Sequence, residues 1–133
     1  MDNVEEIIAE NKICAIILRK EFHKPGANFF TPAEFSQQLG MLIHDKGKKV
    51  ERHRHKLIKR EIFNTQEVLV LLEGKIRVDL FTDEAEKTKT VVLKAGDTIL
   101  LASGGHSVEI IEPAKIIEVK QGPYSGLDEK EYF

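Results

Sequence analysis

The chain has one cysteine, Cys14, no tryptophan, and no excess of charge of either sign. A single thiol excludes an internal disulfide and suits a reducing compartment. Twenty basic against twenty-two acidic residues, a net charge of -2, give no global attraction for nucleic acid. No apolar run approaches the roughly 20 residues of a helical membrane span. The opening Met1-Asp-Asn-Val-Glu-Glu is acidic where a signal peptide would be basic, so the expectation is a cytoplasmic protein with no membrane partner.

What is present is ordinary for one globular domain. The 133 residues are 41 % hydrophobic and 32 % charged, enough to bury one core and too few for two. Val4 to Glu10 reads as a short helical turn and Ile13 to Leu18 as an apolar strand. Thr31-Pro32-Ala-Glu34 carries the signals of a helix start, with Thr31 as N-cap and Pro32 at N1. Gln38 to His44 reads as a strand. From Val50 the pattern is β throughout. Val68 to Leu72 and Lys75 to Leu80 read as a hairpin about Glu73-Gly74, and Thr82 to Lys89 as a charged loop. Thr90–Leu93 and Thr98–Leu101 flank a Lys94–Asp97 turn, followed by strands at Ser107–Ile111 and Ile116–Val119. Short strands at regular spacing predict an all-β barrel or jelly roll. The tail from Gly122 is polar, with Tyr124, Tyr132 and Phe133, and either folds back or frays.

The chemistry concentrates between Gly47 and Gly74. In a strand, residues i and i+2 share a face, so His53 and His55 can reach one ion together. Glu67 precedes an apolar strand, where an inward carboxylate needs a partner. His106 follows the Ser103-Gly-Gly105 turn. Imidazole and carboxylate without thiolate suit a divalent Fe, Mn, Ni, Co or Zn ion and not a closed structural zinc site. The competing reading makes His53 and His55 surface residues of a basic strand. His23 and His44 read as surface or structural residues. Eight basic residues lie between Lys46 and Arg60. Among them Lys59 and Arg60 are candidate ligand-binding cations over a barrel mouth, while Arg52 and Arg54 face away from the histidines. The run has no interleaved aromatics, which disfavours nucleic acid.

This pattern resembles the cupin family. Gly47 precedes His53 by five intervening residues and Glu67 precedes Gly74 by six, as in that family's first motif. The gap from His55 to Glu67, eleven residues, is longer than the family's, and Glu61 is the alternative carboxylate. Gly96, Ala102, Gly104 and His106 follow the second motif loosely, with Ala102 in place of proline and Ile110 in place of asparagine. Ile116 to Gly126 is similar to the end of the cupin domain in bacterial mannose-6-phosphate isomerases. The resemblance covers roughly Gln38 to Lys120. It implies a double-stranded β-helix barrel over 38–120, with an irregular N-terminal arm over 1–37 and a tail over 121–133. It also implies a metal held by His53, His55, Glu67 and His106, and a small polar ligand such as a sugar phosphate or nucleotide sugar. Isomerisation or epimerisation is the first activity expected. Metal-dependent oxygen chemistry, a non-catalytic sugar- or effector-binding module, and a purely structural barrel are the alternatives. A homodimer is expected through the arm, because Ile13 to Leu18 has no obvious partner in a minimal barrel.

Overall fold

The computed structural model describes residues 3–124, 126 and 129–133. Met1 and Asp2 of the acidic opening, and Ser125, Leu127 and Asp128 of the tail, lie outside the described residues. The fold is all-β: a curled antiparallel sheet forming a half-barrel, with no helix among the described residues. No helix is therefore long and apolar enough to cross a membrane.

Strands β1 (Val4–Ala9) and β2 (Lys12–Leu18) form a hairpin. Its turn residues Glu10 and Asn11 both have positive φ, 52° and 62°, as a two-residue turn matched to strand twist requires. β1 corrects the helical reading of Val4 to Glu10. Val4, Ile7 and Ile8 fall at helical spacing, but pairing with β2 and burial of Ile7 decide the conformation. β2 also pairs with β7 (Thr98–Leu101), and Ala15, Ile16 and Ile17 have no exposure. Thus Ile13 to Leu18 is a central strand with both edges taken, and the first half of the N-terminal segment is regular. Segment 31–37 forms no helix. Phe35 N–H bonds Pro32 O at 3.1 Å to close one turn, and the Thr31 hydroxyl accepts from Leu39 N–H at 3.2 Å. β3 (Gly26–Phe29) and β4 (Gly40–Ile43) make a separate two-stranded ribbon.

The centre of the fold is one long strand, β5 (Glu67–Phe81). The expected hairpin at Glu73-Gly74 does not form. The ladder continues through it, because Lys75 pairs with Lys94 on one side and Glu112 on the other. Gly74 instead permits a bend: its φ is +92°, and an added Cβ would collide with the Pro113 carbonyl. Three register shifts between Leu71 and Ile76 mark the same place. β5 pairs first with β7 and then with β6 (Lys87–Lys94) along one edge. Along the other edge it pairs with β8 (Gly105–Lys120), which replaces the two short strands expected there. Val50 to Gln66, expected as β structure, is irregular.

The curl brings the two ends of the strand path together. Lys89 of β6 bonds Glu5 of β1 at 2.5 Å, and the Arg19 guanidinium donates to Val92 O at 2.8 Å. Inside lies the core of Ile7, Ala15, Ile17, Leu71, Val78 and Ile99 with their neighbours. Ile16 and Leu100 point to the opposite, convex face and are equally buried. Gln66, also facing that side, accepts bonds from Ser36 Oγ at 3.2 Å and Gln37 N–H at 3.1 Å, pinning the irregular stretch over it.

Candidate functional site on the concave face

Cross-strand partners share a face, so β5 identifies the inward residues of β8. Leu80, Val78 and Ile76 pair with His106, Val108 and Ile110, while Leu71 and Leu69 pair with Ile116 and Glu118. Because Leu69, Leu71, Ile76, Val78 and Leu80 belong to the core, these β8 residues face into the half-barrel. Glu67 pairs with Leu101 on one side and Lys120 on the other, on that same face.

Glu67 and His106 start at opposite ends of the ribbon. His106 sits opposite Leu80, thirteen positions along β5 from Glu67, or roughly 43 Å along a straight strand. The curl closes this gap, and Glu67 Oε1 lies 3.5 Å from His106 Nε2. Their side chains keep 20 % and 32 % exposure, so the pair stands at a mouth and not in a sealed cavity.

The pair is not an ion pair at neutral pH. Burial holds the His106 imidazole below its ordinary value, outweighing the nearby Glu118 carboxylate, and Lys130 pushes in the same direction as burial. Glu67 is raised, first by burial and then by a carboxyl–carboxyl hydrogen bond and repulsion with Glu118, against the pull of Lys120 and Lys130. Burial therefore favours the neutral form of each group. The site combines a neutral imidazole with two carboxyls able to share a proton, flanked by two ammonium groups.

Glu118, Lys120 and Lys130 extend the set expected from sequence. Period-2 alternation back from the paired Lys120 was the signal for Glu118. Nothing in sequence spacing marks Lys130, which arrives because the tail folds back. Phe133 packs edge-on against Phe81 with centroids 5.4 Å apart, and it covers Gly105.

The structure brings together only half of the expected metal ligands. His53 and His55 lie in an exposed, irregular segment, not on a strand. They sit against each other, with ring centroids 5.3 Å apart, and His53 Nδ1 contacts Glu51 O at 2.7 Å. Lys59 and Arg60 lie in the same exposed, irregular segment. Glu61 lines a groove of about 640 Å³ with Lys12, Phe35, Phe63, Asn64 and Gln66, so it is Glu67 that stands beside His106. His23 and His44 are exposed. Among the described residues, no group of three or more His, Cys, Asp or Glu gathers as a metal site, so the donors as placed do not fit an ion. No protein-family model, curated protein or solved structure matches this chain.

Proposed function

We propose that the chain is a cupin-type binding module whose concave face holds a small polar ligand, a sugar phosphate or nucleotide sugar. The observation that carries this reading is the meeting of Glu67 and His106 at 3.5 Å, at the mouth of a half-barrel lined by apolar side chains. Apolar walls with a few convergent polar groups are the usual composition of a ligand site. The Glu67 and Glu118 carboxyls and the neutral His106 ring suit hydroxyl groups, which both donate and accept. Lys120 and Lys130 suit a phosphate.

The test is a titration of isotopically labelled protein with hexose 1-phosphates, hexose 6-phosphates and nucleoside-diphosphate hexoses, followed by amide shifts. Shifts should concentrate at Glu67, His106 and Glu118. Lys120→Ala should weaken a phosphorylated sugar by about tenfold, the scale of one lost charged hydrogen bond, and leave a neutral sugar unaffected. Shifts confined to the groove beside Phe35 and Phe63 would overturn the reading.

One observation favours a catalytic version. An imidazole held toward its neutral form beside a carboxyl of raised pKa sets two proton-transfer groups side by side, the equipment an epimerase or isomerase needs. Exchange of a sugar carbon-bound proton with heavy water, abolished in His106→Ala, is its signature.

A further inference from the structure

The tail leaves the sheet on one side of the mouth and returns to it on the other. β8 ends at Lys120, opposite Glu67, and Gln121 N–H still bonds Gln66 O at 3.0 Å. Phe133 then lies at the far end of the same strand, edge-on to Phe81 with ring centroids 5.4 Å apart. Phe81 pairs with Gly105 and Leu80 with His106, so this contact adjoins the site. In a straight strand the fifteen steps from Gly105 to Lys120 would span about 50 Å. The thirteen tail residues, fully extended, reach at most about 47 Å. The curl that brings Glu67 to His106 is therefore what lets the tail bridge the same gap.

Gly105 shows that the contact is built into β8. Its φ is not in the left-handed region, so its backbone conformation admits any residue. An added Cβ, however, would stand 2.5 Å from Phe133 Cζ and 2.7 Å from Cε1, and the three nearest atoms all belong to that ring. The missing side chain makes room for the ring and does not serve a turn. Phe133 keeps 72 % exposure, so the ring rests on one face only and is free to lift.

Three positions before the ring, Lys130 acts on both mouth residues. Burial and the Glu118 carboxyl raise Glu67, and Lys120 and Lys130 pull against them. Burial dominates at His106, where Lys130 adds to it and Glu118 opposes it. Lys120 is fixed on β8, whereas the place of Lys130 depends on the tail.

We propose that the tail is a strap over the mouth, latched by the Phe133 ring on Gly105, and that it delivers Lys130 as the second cation of a phosphate clamp. Lys120 and Lys130 together hold the ligand phosphate, and Lys130 selects phosphorylated over neutral ligands. Phe133 is a positioning residue: it touches no ligand and acts through Lys130. Lifting the latch admits the ligand, and closing it completes the clamp, as closing segments do over other sites. The clamp rests on the reading of the concave face as a sugar-phosphate site, while the latch does not.

The latch is read by NMR on ligand-free protein. Wild type should show NOEs between the Phe133 ring protons and the Gly105 α-protons, and amides at 130–133 as ordered as those of β8. Phe133→Ala and Gly105→Ala should each release the tail, with unchanged circular dichroism. No ring contact in wild type, or a tail equally ordered in both variants, overturns the latch.

The clamp is read by calorimetry with glucose 6-phosphate, and with glucose as the neutral control. Lys130→Ala should weaken the phosphate ester about tenfold, the scale of one charged hydrogen bond, and leave glucose unchanged. Phe133→Ala should weaken it about two- to tenfold, the population equivalent of one aromatic pair, and Phe133→Tyr, which keeps the ring, should bind as wild type. Lys130→Ala/Phe133→Ala should bind no more weakly than Lys130→Ala alone, because the ring acts only through the lysine. Additive losses overturn the positioning role, and wild-type binding by Lys130→Ala overturns the clamp. A wild type that binds neither compound brings down the sugar-phosphate reading and the clamp with it, and the latch then stands or falls on the ring contact.

Discussion

β2, apolar at six of its seven positions, and β8, apolar at seven of its sixteen, have opposite fates. In β2, five consecutive residues from Cys14 to Leu18 are buried; in β8, which is more than twice as long, only Ala114 and Ile116 pack against the core. β2 has strands on both edges, core on one face and the pinned 31–39 stretch on the other side. Among the described residues β8 pairs with one strand, and most of its side chains on both faces are exposed. The difference lies in the neighbours as well as in the residues. A run such as Ile-Ile-Glu-Val exposed to water is a request for a partner.

The largest effect should come where the well-neighboured region is tied together. Asp97 is 1 % exposed. One of its oxygens accepts from Lys20 N–H at 3.1 Å, and the other accepts from the Arg19 guanidinium and Lys94 N–H, both at 2.9 Å. It thereby joins the end of β2 to the β6–β7 turn. Asp97→Ala leaves two backbone donors and one guanidinium without their partner, and should cost about 3–5 kcal/mol in urea unfolding. The Arg77–Glu109 pair between β5 and β8 is the contrast. Both side chains are solvated, and Glu109→Ala should cost less than about 1 kcal/mol. Equal losses would erase the distinction between the two regions.

A second pair compares packing alone. Leu71 has no exposure and Leu71→Ala should cost about 2–5 kcal/mol, the range for a large-to-small change in a core. Ile117, 48 % exposed on the convex face, should cost under about 1 kcal/mol as Ile117→Ala in dilute protein. A large loss at Ile117 that grows with protein concentration would show that this face is covered by a partner.

The same contrast separates what was legible in the sequence from what was not. The apolar strands and the Lys94–Asp97 turn follow from local pattern, whereas Glu67 and His106 stand out through the cupin-like motifs, and the structure brings these two side chains together. Gly74 misled because a glycine with positive φ serves a bend as well as a hairpin. Only the ladder on both sides of Lys75 tells them apart. Thr31-Pro32 carries good capping chemistry, but no apolar stripe follows to bury a helix there. His53 and His55 were legible as a pair, yet their distance from Glu67 depends on where a long segment goes, and no local rule fixes that. Lys130 needed the tail to fold back, again a long-range event.

The smallest expected effects lie at the mouth, where the two regions meet, and they have opposite signs with pH. His106 titrates below its ordinary 6.5 in the folded chain. The unfolded chain therefore takes up its proton first as pH falls. The stability associated with neutral His106 is present above pH 6.5 and is lost as pH falls through the depressed folded value. Glu67 titrates above 4.5, so its contribution is present below that value and is lost as pH rises through the raised folded value. With chelator present, thermal midpoints should therefore respond in opposite directions in two variants. His106→Ala should flatten the loss of stability below pH 6.5, and Glu67→Gln should flatten the loss above pH 4.5. Because Glu67 shares a hydrogen bond with Glu118, the second effect should be the broader in pH. If both variants follow the wild-type pH profile in parallel, the two groups are solvated independently, and the mouth is not the desolvated site that the curl of β5 and β8 builds.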